Sequence, residues 1–425
     1  MALVSYLEAA EEIRRFVLAR AESGGFLGEV GEESASLTET VALGAAAGRV
    51  LAEGIQADRD QPPFPRSTRD GFACRAAEAS TNQLLFVAGQ LRAGDTPPAG
   101  LGVGEIWEIM TGAPVPEGAD AVFMVEHAER SSEPNSAGDF VRLAAPRTVE
   151  PGENIVARGA EARAGDLLVS PGIRLGAAQI ALAAQCGYNR LRVAVRPRVA
   201  ILSTGDELVP VESEPGPSQI RNSNAPMLAA LVEAAGGEAV VLPAVPDQDA
   251  PLEAAIQQAL QADLLLVTGG ISAGRFDLVE GALTRAGAQF FFGGVAIQPG
   301  KPVVFGELSR PGRQPLPFFA LPGNPISSAV TFLLFAAPLL AALAGDSSAL
   351  PRFALAQLLG EWRGNPGLTR FLPAWCDFGL ASEVRLAPWQ GSGDIAAFAS
   401  SNCFLVVPPD AEEIPEGSVV RILLP

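Results

Sequence analysis

The stretch from Leu264 to Asp277 reads LLLVTGGISAGRFD and decides the fold of the central part of the chain. Its apolar residues predict a buried strand, its two adjacent glycines predict a turn, and the residues after Asp277 follow a helical pattern. A strand, a glycine turn and a helix start in this order let backbone N–H groups approach an anion, with a carboxylate beside it. Many glycine turns share this pattern, so the neighbouring segments are needed to interpret it.

Strands and helices alternate on both sides of this stretch. Short apolar runs typical of buried strands are followed by helical patterns, and further strands are expected near Val303 and Phe318 to continue the sheet. This alternation predicts a doubly wound parallel sheet with helices on both faces. The strands are expected at 199–202, 239–245 and 264–267, and the helices at 224–235, 251–260 and 277–286.

The rest of the chain predicts β structure around this α/β domain. Short strand patterns separated by glycine and proline occur both before and after it. The predicted fold class is α/β plus β, in an elongated multidomain chain. The expected domains are a discontinuous N-terminal linking domain at 1–57 and 151–195, a β insert domain at 58–150, the α/β domain at 196–346 and a C-terminal β domain at 347–425.

Residues 326–344 (ISSAVTFLLFAAPLLAALA) are long and apolar enough to suggest a transmembrane helix. A buried helix packed on the sheet is the better interpretation, because Pro338 interrupts the run and no lysine or arginine flanks it closely. The N-terminus has no basic segment followed by an apolar core, so no signal peptide is predicted. A cytoplasmic location is therefore expected.

The composition argues against several classes of function. The net charge of −18 disfavours non-specific binding to nucleic acid, which needs a basic face. His127 is the only histidine and the four cysteines lie far apart, which disfavours a zinc site and a histidine-based triad. Lys301 is the only lysine, whereas arginine supplies the other positive side chains. One retained ammonium suggests a point contact with an oxyanion, with chance retention as the alternative.

Polar residues follow the predicted strands where those strands end. Ligands of parallel sheets bind beyond the carboxyl ends of the strands, so these residues are expected on one rim. The carboxylates suit Mg²⁺, while the lysine and the N–H groups of a helix start suit an oxyanion. Each acid alone has a helix N-cap as its commoner role. The segments are STGDE (203–207), Pro246-Asp247, the glycine turn with Asp277, QPGKP (298–302), and LPGNP (321–325) with Ser327 and Ser328.

The motifs STGDEL, TGGISAGRFD, PGKP and LPGNP, in the order β insert, α/β domain and β tail, resemble the molybdopterin molybdenumtransferase family. The resemblance extends to IMTGAPVPEGADAV (109–122), RGAEA (158–162) and QGSGD (390–394), and so to nearly the whole chain. It implies a Mg²⁺-dependent enzyme that hydrolyses adenylylated molybdopterin, inserts molybdenum from molybdate and releases AMP. It also implies a homodimer whose active site lies between the α/β domain of one subunit and the β insert of the other. The adenylyltransferase of the same pathway is a further candidate partner.

The resemblance also implies roles for individual residues. Catalytic roles are implied for Thr111, Glu207, Asp247, Asp277 and Lys301, with Mg²⁺ held by the three acids Glu207, Asp247 and Asp277. Substrate-binding roles are implied for the other matching positions: Asp70, Glu161, Ser203, Thr204, Gly205, Gly269, Gly270, Ser272, Gly300, Pro302, Gly323, Asn324, Ser328, Arg370 and Ser392.

Two positions depart from the family pattern. Many members have aspartate where this chain has Pro65, and many have lysine or arginine where it has Gln298. The second departure removes one cation from the expected anion site and leaves Lys301 with a larger share of the positive charge.

Two other functions stay open on the sequence alone. The first is the preceding step, adenylylation of molybdopterin, because the α/β domain resembles that enzyme as well. The additional β domains favour molybdenum insertion. The second is a non-catalytic pterin-binding scaffold, against which the acidic strand ends argue.

Overall fold

The computed structural model describes residues 3–22, 37–131, 138–270, 278–346 and 350–425. The chain divides into two compact units. The first contains Met1–Ala52, Pro171–Ala177 and Arg190–Pro425, and the second contains Glu53–Ser170 and Ala178–Asn189.

The part of the chain before the α/β region consists mainly of short strands. In chain order its elements are α1 (Tyr6–Glu22), β1 (Thr38–Ala42), β2 (Ile55–Gln56), β3 (Arg66–Ser67), β4 (Gly71–Cys74), α2 (Ala76–Ala79), β5 (Leu85–Leu91), β6 (Glu105–Ile109), β7 (Ala121–Met124), β8 (Ala128–Ser131), β9 (Phe140–Leu143), β10 (Ile155–Val156), β11 (Leu167–Val169), α3 (Ala177–Gln185) and β12 (Arg190–Ala194), with 3₁₀ turns at Leu43–Ala45 and Val125–His127.

The second unit is built on a six-stranded sheet in the order β7-β4-β6-β5-β9-β8. Phe72 on β4 and Phe123 on β7 are fully buried and stack with their ring centroids 5.4 Å apart. Strand β4 pairs antiparallel with β6, with Gly71 opposite Ile109. The residue before β4 and the residues after β6 therefore lie at the same edge of this sheet, which brings Asp70 close to Thr111.

The elements of the rest of the chain follow the predicted alternation and then return to strands. They are β13 (Arg198–Ser203), β14 (Leu208–Val209), β15 (Ile220–Arg221), α4 (Asn224–Ala234), β16 (Glu238–Val241), α5 (Asp249–Ala259), β17 (Leu264–Thr268), α6 (Leu278–Arg285), β18 (Ala288–Gly293), β19 (Ile297–Gln298), β20 (Val304–Arg310), β21 (Arg313–Leu321), α7 (Pro325–Thr331), a π turn (Phe332–Ala336), α8 (Ala337–Leu343), β22 (Phe353–Leu358), β23 (Trp362–Arg363), β24 (Thr369–Phe378), β25 (Ser382–Leu386), α9 (Ile395–Ala399), β26 (Cys403–Val407), β27 (Glu413–Ile414) and β28 (Val419–Leu423).

The α/β region contains a six-stranded sheet in the order β16-β13-β17-β21-β20-β18. Along β13 the side chains alternate between two separate cores. Val199 and Ile201 belong to the core that also contains α4, α7 and α8, and Ala200 and Leu202 belong to the core that contains α5 and α6. Helices thus cover both faces, which confirms the doubly wound fold and explains why β13 is apolar throughout.

The sheet is parallel over only four strands, from β16 to β21. Strands β20 and β18 are antiparallel to their neighbours, so the expected parallel continuation near Val303 is wrong. The reason is local, because only Pro311 and Gly312 connect β20 to β21, and two residues permit a hairpin but no parallel crossover. The reversal places the start of β20 beside the end of β21, with Val304 opposite Ala320.

The apolar segment after β21 forms one helix, Pro325–Leu343, interrupted only by the π turn. It is the one helix in the described residues that is long and apolar enough to cross a membrane, and 78% of its apolar window is buried. Its side chains lie in the same core as β13 and β17, as Val330 and Leu339 show. The prediction of a buried helix on the sheet is confirmed.

The C-terminal β region closes into a barrel. Strand β24 pairs with both β25 and β26, β26 pairs with β28, β28 with β22, and β22 with β25, so these strands form a closed ring. Strand β19, which comes from the α/β region, adds to this barrel in parallel with β24. This pairing brings the loop before β20 to the barrel residue Arg370.

Candidate active site

Asp247 is held by two groups of the turn that follows β13. Thr204 forms a parallel bridge with Val245, which brings this turn beside the segment after β16. The Thr204 hydroxyl donates a 2.5 Å hydrogen bond to Oδ1 of Asp247, and Asp206 Oδ1 accepts the backbone N–H of Asp247 over 3.1 Å. Both the side chain and the backbone of Asp247 are therefore fixed at the carboxyl edge of the sheet.

Glu207 lies over the same turn. Its carboxylate is so close to Gly205 that a Cβ at that position would be 2.6 Å from Glu207 Oε2. Gly205 also has a φ of +155°, so a side chain there would displace the glutamate and strain the turn. Asp206 and Glu207 are both exposed, and they share one edge of the sheet with Asp247.

The glycine turn after β17 packs directly against the turn after β13. Gly269 has a φ of +95°, and a Cβ on it would lie 2.1 Å from the carbonyl oxygen of Thr204. Only glycine permits this approach, so the first glycine of the TGG sequence has a packing role. Gly270 follows it with a φ of +65°. The predicted residues Ser272 and Asp277 lie outside the described residues.

The hydroxyl groups at the strand ends are turned inward. Ser328 is fully buried, and its hydroxyl donates to the carbonyl oxygen of Pro322. The Thr268 hydroxyl donates to the same oxygen over 3.3 Å. Ser203 and Thr204 are only 1% and 2% exposed, and the Ser203 hydroxyl donates to Asn222 Oδ1 over 3.3 Å. These three predicted substrate-binding residues thus use their hydroxyls to hold the turns in place.

The helix start at LPGNP is partly occupied by the C-terminal region. Asn324 Nδ2 donates to the hydroxyl of Ser392 over 2.7 Å, and the backbone N–H of Ile326 donates to the Ser392 carbonyl oxygen over 3.0 Å. Pro325 has no N–H to offer. At this helix start the N–H of Ile326 is therefore already bonded and Pro325 supplies none, so neither position can donate to an oxyanion. Gly323 lies alongside, with its carbonyl oxygen accepting from Asn224 Nδ2 at 2.6 Å.

Lys301 lies at the same edge of the sheet, because β20 starts where β21 ends. Its side chain is exposed, as is Pro302. The loop that carries it closes with a 2.8 Å hydrogen bond from the N–H of Val295 to the carbonyl oxygen of Lys301. Gly300 presses this loop onto the buried helix, since a Cβ there would lie 2.6 Å from Thr331 Cγ2.

Arg370 on the barrel joins this loop. Its Nε donates to Gln298 Oε1 over 3.0 Å, and its guanidinium carbon lies 5.5 Å from the ring centroid of Trp362. The edge of the α/β sheet therefore has a cation on the PGKP loop and a second cation directly bonded to the start of the same loop.

The second unit contains a separate polar cluster. Asp70 Oδ1 accepts hydrogen bonds from both the backbone N–H and the hydroxyl of Thr111, at 2.7 and 2.8 Å. These two bonds, the backbone one first, lower the pKa of the Asp70 carboxyl below its ordinary value. Glu161 forms an ion pair with Arg66 at 2.8 Å. The paired Asp70 and Thr111 are thus one preformed group, whereas Glu161 interacts with a residue that had no predicted role.

The chain is similar to known proteins over almost its whole length. Residues 5–187 match the family described as "MoeA N-terminal region (domain I and II)", residues 200–342 match "Probable molybdopterin binding domain", and residues 356–424 match "MoeA C-terminal region (domain IV)". A molybdopterin molybdenumtransferase of Bacillus subtilis is 34% identical over 397 residues, covering 91% of this chain and 90% of that protein. The chain belongs to the molybdopterin molybdenumtransferase family.

Other relatives support this membership. The molybdopterin molybdenumtransferase of Haemophilus influenzae is 33% identical over 91% of this chain and 93% of its own length. A crystal structure of the molybdopterin biosynthesis moeA protein of Pyrococcus horikoshii OT3 superposes over the whole of both chains with a TM-score of 0.78 at 28% identity. As a member of this family, the chain is a transferase, and it belongs to molybdenum cofactor biosynthesis.

Three residues near the predicted site of this molybdenumtransferase homologue were not singled out from the sequence. Asp206 contacts the backbone of Asp247, Asn224 bonds both Thr268 and Gly323, and Trp362 packs on Arg370. The position of Asp206 beside Glu207 in the STGDE motif was the one available signal. Nothing in the local sequence indicates the contacts of Asn224, because they join segments that are 44 and 99 positions apart. Trp362 is only eight positions before Arg370, but its packing on the guanidinium depends on how the chain turns between them.

The predicted metal ligands are only partly described. Asp247 and Glu207 lie at the same edge, whereas Asp277 lies outside the described residues. Within the ranges that the structure does describe, no group of three or more His, Cys, Asp and Glu side chains is arranged to hold a metal ion.

Proposed function

We propose that this chain catalyses the insertion of molybdenum into molybdopterin, starting from adenylylated molybdopterin and molybdate and releasing AMP. The observation that carries the proposal is the shared edge of the sheet, where Thr204 fixes Asp247, Glu207 lies over the same turn, and Lys301 lies in the loop just before the antiparallel strand β20. Acids beside a lone ammonium suit a substrate that brings phosphate groups and an oxyanion to one place.

The first step is hydrolysis of the adenylate. Water adds to a phosphorus of the anhydride, the P–O bond to the bridging oxygen breaks, AMP leaves, and the proton from water passes to a carboxylate or to solvent. In this proposal Asp247 and Glu207 orient the water and the phosphate groups, and Lys301 and Arg370 offset the negative charge.

The second step is molybdenum insertion. The two sulfurs of the pterin dithiolene bond to molybdenum, and their two protons leave with one displaced molybdate oxygen as water. The oxidation state of molybdenum does not change, so no reductant is needed. The exposed side chain of Lys301 and the guanidinium of Arg370 are the groups that we assign to the molybdate oxygens.

Mg²⁺ fits the donor set of this edge, because carboxylate oxygens are the ligands it prefers. Thr204 occupies only Oδ1 of Asp247, and the Glu207 carboxylate is exposed. Asp247 and Glu207, together with Asp277, would hold the ion. When bound, it would neutralise charge on the phosphate oxygens and favour departure of AMP.

The proposal includes assembly and location. We propose a homodimer in which Asp70 and Thr111 of one subunit complete the site on the α/β domain of the other, a contact with the pathway's adenylyltransferase, and a cytoplasmic enzyme. We also retain the four-domain division. Matches to separate family regions at 5–187, 200–342 and 356–424 support it.

The test is an assay of purified protein with adenylylated molybdopterin, molybdate and Mg²⁺, with AMP and loaded cofactor as products. We expect AMP release without ATP and loss of activity with a chelator, restored by added Mg²⁺. An absolute requirement for ATP would favour the adenylyltransferase alternative. Binding of the pterin without any AMP release would favour the scaffold.

A further inference from the structure

Gln298 and Arg370 are brought together by backbone pairing. Strand β19 runs parallel to β24, with Gln298 opposite Arg370, and the N–H of Thr369 donates to the carbonyl oxygen of Ala296 over 3.1 Å. The loop from Val295 to Lys301 is closed by its own hydrogen bond, so Gln298 and Lys301 are held on one tight loop. The 3.0 Å bond from Arg370 Nε to Gln298 Oε1 therefore joins two anchored segments.

The remaining contacts of Arg370 hold its guanidinium in one orientation. Its face packs on Trp362, which is 7% exposed, and its Nη1 donates to the carbonyl oxygen of Leu368 over 3.3 Å. Within the described residues Nη2 has no hydrogen-bond partner. With Nε bonded to Gln298, the guanidinium presents its outer nitrogens as the donors left for a ligand.

All these partners of Arg370 are neutral. A carboxylate in place of the Gln298 amide would accept the same hydrogen bond but would cancel the charge of the guanidinium. A neutral acceptor orients Arg370 and leaves its positive charge available beside the loop of Lys301. Oriented N–H donors with an uncancelled charge are suited to a tetrahedral oxyanion.

We propose that Gln298 is a positioning residue for molybdate: its amide oxygen orients Arg370, so that Arg370 and Lys301 together bind the oxyanion. This inference rests on the proposed function, because molybdate is its ligand. Gln298 itself does not touch the oxyanion, and its whole effect passes through Arg370.

The test measures molybdate binding by calorimetry, without turnover, in the wild-type protein, Gln298→Leu, Arg370→Ala and the double variant. Gln298→Leu removes the hydrogen-bond acceptor while keeping the side-chain volume nearly constant. We expect molybdate binding to weaken about 3- to 10-fold, a modest effect for a hydrogen bond to a charged group, because this bond is exposed. In the Arg370→Ala background the same change should alter binding by less than about 2-fold. In steady-state assays Gln298→Leu should raise KM for molybdate and leave kcat nearly unchanged.

Two further variants sharpen the result. Gln298→Glu keeps the acceptor and adds a negative charge, so we expect it to weaken molybdate binding more than Gln298→Leu does, most clearly at low salt. Gln258→Leu makes the same substitution at an exposed position on α5 and should leave binding unchanged. Thermal unfolding of each variant checks that the fold is retained.

Three results would overturn the inference. Wild-type affinity in Gln298→Leu would show that the amide positions nothing. Equal weakening with and without Arg370 would show that Gln298 acts independently of the guanidinium. If the wild-type protein bound no molybdate, the proposed function would fail together with the inference, whereas the first two results leave the proposed function intact.

Discussion

The hydroxyl of Thr204 donates a 2.5 Å hydrogen bond to Oδ1 of Asp247, although the two residues are 43 positions apart in the sequence. Thr204 is only 2% exposed, so its hydroxyl is directed to the acid and is not available to a substrate. The bond gives Asp247 a fixed orientation at the carboxyl edge of the sheet. In the proposed reaction an oriented carboxylate gives a higher rate than a mobile one, because the catalytic geometry is set before the substrate arrives.

Thr204→Val should lower kcat for AMP release by about 10-fold, because it removes a partly buried hydrogen bond to a charged group while keeping the side-chain shape. Thr204→Ser keeps the hydroxyl and should stay within about 3-fold of wild type. The measurement is steady-state AMP release at saturating Mg²⁺. Thr284→Val, which removes the exposed hydroxyl that bonds the Glu280 carbonyl oxygen, is the control and should change nothing. Equal activities of Thr204→Val and Thr204→Ser would contradict the orienting role.

Lys301 permits a labelling test that few proteins allow, because it is the only lysine of the chain. An amine-specific acetylating reagent should modify it readily in the free protein, since its side chain is exposed. Saturating molybdate should slow this modification several-fold by occupying the ammonium. Peptide mass spectrometry separates Lys301 from the N-terminal amine, which serves as the internal control, and chloride at equal ionic strength corrects for screening. An unchanged rate with molybdate would remove Lys301 from the anion site.

Mixing two inactive variants tests the proposed shared site of the dimer. Thr111→Ala and Asp247→Asn should each be nearly inactive alone. After subunit exchange, half of the dimers are mixed, and each mixed dimer has one site with both residues intact, so about a quarter of wild-type activity should return. The control is Thr111→Ala mixed with the double variant Arg69→Ala/Thr111→Ala. No dimer in this mixture contains an intact Thr111, so activity should not return. No recovery, with exchange verified by mass spectrometry, would argue that each site is built from one subunit.

The Asp70 carboxyl should titrate below its ordinary pKa, because Thr111 donates two hydrogen bonds to the ionised form. The stabilisation from these bonds is present above the pKa of the unfolded state and is lost as pH falls through the lower pKa of the folded state. Thr111→Val removes the side-chain bond and should raise the pKa of Asp70 toward its ordinary value without restoring it fully, because the backbone bond remains. Carboxyl-carbon NMR of both proteins measures the difference. An identical pKa in both would contradict the assigned cause.

The α/β sheet was predictable because its strands are apolar on both faces and alternate with helices. The antiparallel β20–β21 hairpin could also have been predicted, because the two residues Pro311 and Gly312 are too short for a parallel crossover. A parallel strand was expected there instead. Closure of the C-terminal barrel could not be predicted, because it depends on the pairing of β24 with both β25 and β26. A local pattern predicts strands but does not contain the choice of a distant partner.

The candidate site shows the same limit. The carboxyl-edge rule correctly brought Asp247 and Glu207 to one edge, since it depends only on strand direction. It could not show that Ser328 and Thr204 point inward, or that Ser392 occupies the N–H of Ile326 at the helix start. These contacts depend on side-chain rotamers and on segments far apart in the chain.

The most direct test of the central claim compares AMP release by wild-type protein, Asp247→Asn and Lys301→Ala, each supplied with adenylylated molybdopterin, molybdate and Mg²⁺ but no ATP. We expect Asp247→Asn to lower kcat by at least about 100-fold and Lys301→Ala to raise KM for molybdate, with melting temperatures unchanged. AMP release at the wild-type rate by both variants would contradict the assignment of the reaction to this edge of the sheet.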